Sequence, residues 1–167
     1  EGRVLVDADG RFTANVYDVN GDAYLVFLRD ITAGGRYLHP VAEGISVGGG
    51  LDIQSVSAPY FTYTDEARTA ANIGVGGWFG VRAVGQLDVD LPNDLHVSLD
   101  LAESFLWAPA ATHAGALVDI PAGSAPFAVR LGVAWDWHYL PTTDLGAVGT
   151  IDEHIFTAQA GVVYVLR

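Results

Sequence analysis

Along most of the chain, apolar and polar residues alternate with a period of two. The alternation is clearest over residues 71–91, where Ile, Val, Phe and Leu oppose Gly, Asn, Arg, Gln and Asp. This period is typical of a β-strand with one apolar face. Turn signals such as Pro92-Asn93-Asp94 separate the alternating stretches, and stretches with a helical period are missing. The sequence therefore predicts an all-β chain of antiparallel hairpins.

The turn signals divide the chain into strands and connections. We expect tight turns at Asp9-Gly10 and Asn20-Gly21, because Asp-Gly and Asn-Gly favour the positive φ angles of two-residue hairpins. Loops are expected around Gly34-Gly35, over residues 58–70, after Trp107, and over residues 141–153. About eight strands are predicted, over residues 3–7, 11–18, 23–31, 45–57, 71–91, 95–107 and 127–140 and in a final strand ending near Leu166.

Length and composition favour one domain over residues 1–167, in which residues 1–31 are either part of the main sheet or an accessory β-meander. The strand over residues 71–91 far exceeds the ~5–6 residues usual in soluble domains. A tilted strand needs ~9–11 residues to cross a bilayer. The fold class we predict is an antiparallel up-and-down transmembrane β-barrel, or part of a larger barrel.

The chemistry of the two faces indicates which one lies outside. A soluble barrel would carry many charged residues on its non-apolar face, whereas here that face is rich in glycine with isolated charges. We therefore expect this face to line a lumen and the apolar face to meet lipid. Aromatic residues on the apolar face fit the belt that such rings form at a membrane interface. They are Trp107, Trp135, Trp137, Tyr139 and Tyr164. The alternative is that these rings pack in a soluble core.

Charge and composition exclude several classes of function. With 20 acidic and 8 basic residues the net charge is -12, so nucleic acid is not an expected partner. The absence of cysteine removes disulfides and thiolate chemistry, and the five histidines have no metal-ligand spacing, so no metal or cofactor is expected. No run of apolar residues is long enough for a membrane helix. The chain begins at Glu1 without a signal-peptide pattern, and we expect a processed or excised form.

Three segments are similar to a known family. The Gly-rich strand GISVGGGLDI (residues 44–53), the Leu-Pro turn in LDVDLPNDLHVSLDLA (residues 87–102) and the late hairpin over residues 127–166 resemble FadL/TodX-type outer-membrane transporters. The resemblance implies a β-barrel that carries small hydrophobic molecules across the bacterial outer membrane. Members of that family are larger and have an N-terminal hatch, so the resemblance implies a reduced or partial barrel here.

No nucleotide-binding, metalloprotease, hydrolase or EF-hand pattern is present, and we predict no catalytic residue. A polar cluster is expected where Asp136 and His138 share a face with Arg130, near a similar pair formed by His96 and Asp100. Such charges usually form a satisfied internal network. The predicted ligand- or lumen-lining residues are Trp78, Arg82, Asp88, Asp100, Arg130, Asp136 and His138.

Three functions follow from these patterns. The first is an outer-membrane channel or transporter for small hydrophobic molecules, with the lipid bilayer as its surroundings. The second is a secreted, lipocalin-like barrel whose apolar faces point inward around a hydrophobic ligand. The third is a lipid-modifying barrel enzyme that uses His138 with Asp136 as an acid/base pair. The sequence leaves the substrate and the oligomeric state open.

Overall fold

The computed structural model describes residues 2–64, 66–67, 70–106, 110–123, 126–141 and 150–164. These residues form eight antiparallel strands in one sheet, and the strand order follows the sequence. The strands are β1 (Arg3–Val19), β2 (Asp22–Ala42), β3 (Ile45–Tyr63), β4 (Ala71–Leu91), β5 (Leu95–Leu106), β6 (Ala110–Pro121), β7 (Phe127–Pro141) and β8 (Thr150–Tyr164). The all-β, up-and-down architecture predicted from the alternation is confirmed. In the described part of the chain, no helix is long and apolar enough to cross a membrane.

The sheet curls into a half-barrel. Each strand pairs with the next one, and no backbone ladder joins β1 to β8 among the described residues. These two edge strands nevertheless come within side-chain reach of each other, because Arg11 of β1 donates a hydrogen bond to the hydroxyl of Thr157 on β8 over 3.1 Å. The curl therefore encloses an interior face that all eight strands line.

Two kinds of turn connect the strands at the positions that the sequence marks. Asn20 and Gly21 have φ angles of 59° and 89° between the paired residues Val19 and Asp22, as a two-residue hairpin with two positive φ angles requires. Residues 92–94 form a short helical turn between β4 and β5. Both predicted turns are confirmed.

Several predicted connections are strand instead. Asp9-Gly10 and Gly34-Gly35 lie inside β1 and β2, where Gly10 pairs with Ile31 and Gly34 with both Asp7 and Asp52. Strand β3 continues through Tyr63 into the predicted loop, and the strand β6 replaces the loop expected after Trp107. Strand β8 begins at Thr150, ahead of the predicted start. In each case a neighbouring strand satisfies the backbone, and this ladder overrides the local turn signal. Trp107 and Leu166, at the predicted ends of two strands, lie outside the described residues.

The polarity of the two faces follows the predicted orientation. Arg82 and Asp136 are buried on the inner face, whereas Leu131 and Val133 on the outer face are exposed. The other buried polar residues are Asp52, Gln54, Gln86, Asp88, Ser98 and His138. Large apolar side chains exposed on the outer face include Val4, Val6, Phe12, Leu51, Ile53, Phe79, Leu99, Leu101, Phe156 and Val162.

Small residues on the inner face make room for charged neighbours. A Cβ built on Gly34 would lie 2.0 Å from Oδ1 of Asp52, and one on Gly115 would lie 2.6 Å from Oδ1 of Asp100. Real Cβ atoms do not approach other atoms so closely. The glycine-rich face therefore serves to accommodate carboxylates inside a narrow curl.

We predict that Gly21→Val lowers the free energy of unfolding by about 1–2 kcal/mol, because a left-handed backbone is strained in a residue that carries a Cβ. Nothing lies within 4 Å of the new Cβ, so steric collision does not contribute. Gly161→Val is the matched control, since its Cβ also meets open space and its φ angle is not positive. Urea titration measures both effects. If Gly21→Val and Gly161→Val lowered the free energy of unfolding equally, backbone strain at the turn would not be the cause.

Candidate functional site

The interior of the half-barrel holds a network of charged side chains. Seven of the eight strands contribute a charged or titratable residue to it, and β8 contributes the Thr157 hydroxyl. Alternation places these residues on the inner face, where the curl brings distant strands together. The central members are Arg11, Asp30, Arg36, Asp52, Arg82, Asp100, His113 and Asp136.

Arg11 links the two ends of the sheet. Its guanidinium contacts the carboxylate of Asp30 on the adjacent strand and lies 2.9 Å from Oδ2 of Asp136 on β7. The same side chain donates to Thr157 on β8 over 3.1 Å. A guanidinium offers five donors in a fixed plane, so one arginine can hold several acceptors at once. Arg11 is therefore the main polar connection across the gap between β1 and β8 among the described residues.

A second group of contacts surrounds Asp52, whose side chain is 1% exposed. Its Oδ2 lies 3.2 Å from Nη2 of Arg82 and 3.6 Å from Nη2 of Arg36. Arg36 also reaches Oδ2 of Asp7 at 3.0 Å and donates to Gln86 at 2.9 Å. A buried carboxylate is tolerable only when such cations compensate its lost hydration.

His113 of β6 bridges two carboxylates. Its Nδ1 lies 2.7 Å from Oδ1 of Asp136, and its Nε2 lies 2.9 Å from Oδ2 of Asp100. A neutral imidazole has only one N–H, so the ring can donate to both carboxylates only when it is doubly protonated. Gly115, two residues further along β6, leaves the space in which this bridge forms.

The structure places all seven predicted lining residues on the inner face, but the contacts between them differ from those expected. Asp136 contacts His113 and Arg11, not His138. Arg130 forms a two-pronged contact with Asp119, with both distances 2.7 Å.

The other predicted lining residues fall into separate groups. Asp88 contacts Arg3 and accepts a hydrogen bond from Gln86 over 2.8 Å. Trp78 packs against a small apolar cluster of Val56, Ala58 and Leu140. His96 of the expected His96–Asp100 pair lies 2.7 Å from Asp90, so that pair does not form. The interior thus consists of a central charged network with separate polar and apolar groups around it.

Sequence reasoning missed Arg11, Arg36, Asp52 and His113. A signal for Arg11 was present, because the charged residues of β1 up to that point occupy odd positions and the apolar side chains, apart from Leu5, occupy even ones. His113 gave no comparable signal. Alanine and glycine surround it on both faces of β6, so alternation is nearly absent there.

The two larger cavities of the interior lie on either side of Arg11. The His138 cavity, of about 330 Å³, is lined by Thr13, Asn15, Leu28, Asp30, Val56, His138, Glu153, Ile155 and their neighbours. The His113 cavity, of about 360 Å³, is lined by Asp7, Asp9, Arg36, Asp100, His113, Arg130, Asp136, Gln159 and their neighbours. Arg11 and Thr157 line both cavities, so their hydrogen bond lies at the boundary between the two.

The described residues contain no group of three or more His, Asp or Glu side chains arranged to hold a metal ion. The contacts observed in the interior are ion pairs and hydrogen bonds. It can stabilise the curl, and its cavities can accept small solutes.

The fold and this interior define a class, an antiparallel up-and-down half-barrel with a charged inner face. Comparison with known protein families, curated proteins and solved structures gave no match. The likeness to FadL/TodX-type transporters therefore rests on the sequence motifs alone.

We predict that His113→Phe lowers the free energy of unfolding by about 1–3 kcal/mol, because Asp100 and Asp136 both lose a donor inside the curl. His39→Phe is the control, since His39 is exposed on β2. Urea titration at neutral pH compares the two variants. If both lost the same stability, the bridge would contribute nothing specific.

Proposed function

We propose that this chain is an outer-membrane β-barrel that provides a narrow path for small molecules. The observation that carries the proposal is the inverted polarity of the sheet, with charges buried inside and large apolar side chains exposed outside. Soluble monomers rarely expose large continuous apolar patches. A strand that crosses lipid needs this arrangement, because the hydrocarbon core cannot solvate charges.

The outer face also supports a membrane band with a defined edge. Glu103, Thr112, Trp137 and His154 are successive partners across β5 to β8 and form one polar and aromatic row. Trp137 donates its indole N–H to Asp152 over 2.7 Å. Such rings with a polar tip are typical of a membrane interface.

From this row towards the 92–94 turn, the outer faces of β5 and β7 are apolar. On β7 the apolar stretch over residues 127–135 matches the ~9–11 residues that a tilted strand needs to cross a bilayer. The row therefore marks one edge of the proposed membrane band.

The interior supports the second half of the proposal. The two cavities lie in series, and Arg11 separates them. The net charge of -12 and the interior carboxylates favour cations over anions. An apolar cargo gains little from such a lining, so the hydrophobic substrate that the sequence resemblance implies draws no support from the interior. We therefore propose small polar or cationic solutes.

The alternative functions fit the contacts less well. A lipocalin-like carrier would need an apolar interior, and the apolar cluster around Val56 is small. An enzyme using His138 with Asp136 would need the two groups in contact, whereas Asp136 contacts Arg11 and His113.

We predict that Val133→Arg destabilises the chain in lipid vesicles by about 2–4 kcal/mol, because the new charge would lie in hydrocarbon. Asp22→Arg is the control and should change stability little, because Asp22 is exposed beside the Asn20-Gly21 turn, at the opposite end of the sheet from residues 92–94. The measurement is the urea-induced unfolding of protein refolded into phosphatidylcholine vesicles. A wild-type chain that folds as a monomer in buffer without detergent or lipid would rule out the membrane proposal.

We predict that Arg11→Ala increases the single-channel conductance in planar bilayers, because it removes the side chain that separates the two cavities. His39→Ala is the control, since His39 is exposed on β2 and lines neither cavity. Reversal potentials in a potassium chloride gradient should show a preference for K⁺ in both the wild type and the variants. Unchanged conductance in Arg11→Ala would contradict the role of Arg11 as the constriction.

A further inference from the structure

The His138 cavity contains a buried polar atom that the network leaves unsatisfied. The side chain of His138 is 1% exposed and lines the cavity, and its Nδ1 has no hydrogen-bond partner. Glu153, the cross-strand neighbour on β8, places Oε2 at 3.5 Å from this nitrogen without the geometry of a hydrogen bond. A buried group of this kind is costly unless something bonds to it.

The contacts of Gln54 determine where the proton of a neutral His138 lies. The amide nitrogen of Gln54 donates to Oδ1 of Asp30 over 3.0 Å, because a carboxylate can only accept. The same nitrogen lies 3.5 Å from Nε2 of His138, towards which its second hydrogen can point. This arrangement favours Nε2 as the acceptor, which assigns the proton of the neutral ring to Nδ1.

The cavity thus presents a donor and an acceptor side by side. The donor is the Nδ1–H of His138, and the acceptor is the carboxylate of Glu153. One group that satisfies both is a hydroxyl, whose oxygen accepts from the imidazole while its hydrogen is donated to the carboxylate. A carboxylate ligand would be repelled by Glu153, and Arg11, the cation at the cavity boundary, is already paired with Asp30 and Asp136. An ammonium would have no acceptor to offer to Nδ1–H.

The remaining lining indicates the rest of the ligand. Leu28, Val56 and Ile155 give the cavity an apolar wall, and its volume of about 330 Å³ is that of a small-molecule site. We infer that the His138 cavity binds the hydroxyl group of a small neutral alcohol with a short apolar body. The inference goes beyond the proposed function, because it needs the interior cavity and not the bilayer.

The test uses three aromatic probes that differ only in their head group: benzyl alcohol, benzylammonium and benzoate. The full chain is labelled with isotopic nitrogen in its histidines and folded in detergent micelles, or in buffer if it folds there, so that failed membrane insertion leaves this test intact. Nuclear magnetic resonance of the ring nitrogens reports the His138 tautomer and follows each titration. The His138 signals are assigned by their loss in His138→Phe.

We expect a saturable shift of the His138 nitrogens with benzyl alcohol, weaker effects with benzylammonium and none with benzoate. Glu153→Leu should weaken the binding of benzyl alcohol about tenfold, as the loss of one hydrogen bond to a charged group predicts. Glu103→Leu, on the outer face, should leave the affinity unchanged. Because Glu153 is partly exposed, its replacement tests the site without removing a buried side chain.

Three results would overturn the inference. One is the absence of saturable shifts with benzyl alcohol in the folded wild-type chain. Another is binding of benzylammonium or benzoate as tight as that of the alcohol. The third is equal affinity for the alcohol in Glu153→Leu and the wild type.

Discussion

The pairing of charges inside the curl is the constraint on which the rest of the structure depends. Asp52 and Arg82 are almost completely buried, and a charge in that position is stable only with a partner close by. The inner face must therefore be narrow enough for arginines to reach carboxylates on other strands. Glycines at the points of closest approach, such as Gly34 and Gly115, permit that narrowness. The large apolar side chains therefore occupy the outer face of the sheet.

The same constraint gives the interior its division into compartments. The guanidinium of Arg11 contacts Asp30 on β2 and Asp136 on β7. Its side chain therefore spans the space between the edge strands. The two cavities lie on either side of this contact, and Arg11 lines both of them. In the function that we propose, stability and permeability are thus linked through one residue. A substitution that removes the Arg11 guanidinium also takes a cation away from Asp30 and Asp136.

The alternation was a reliable guide to the long strands and a poor guide where the residues are small. Strand β4 runs over Ala71–Leu91, the range that the pattern predicts, because large apolar side chains mark one face throughout. Strand β6 was missed because alanine and glycine populate both of its faces, which leaves His113 without a recognisable context. Asp9-Gly10 and Asn20-Gly21 were both predicted as turns, and only Asn20-Gly21 is one. The two dipeptides give nearly the same sequence signal, but Gly10 pairs with Ile31 inside the sheet and so lies within strand β1.

The sequence by itself determined the class of fold, the direction of the two faces and the inner position of residues such as Arg82, Asp136 and His138. The class of fold follows from a period of two, and the direction of the faces follows from the residue types on each face. Both are local to each strand. The partners of those residues were decided only by the tertiary structure. The curl of the sheet brings β1, β3, β7 and β8 together. This curl decides which carboxylate contacts Arg11 and which nitrogen of His138 has no hydrogen-bond partner. No local sequence pattern encodes the approach of these strands.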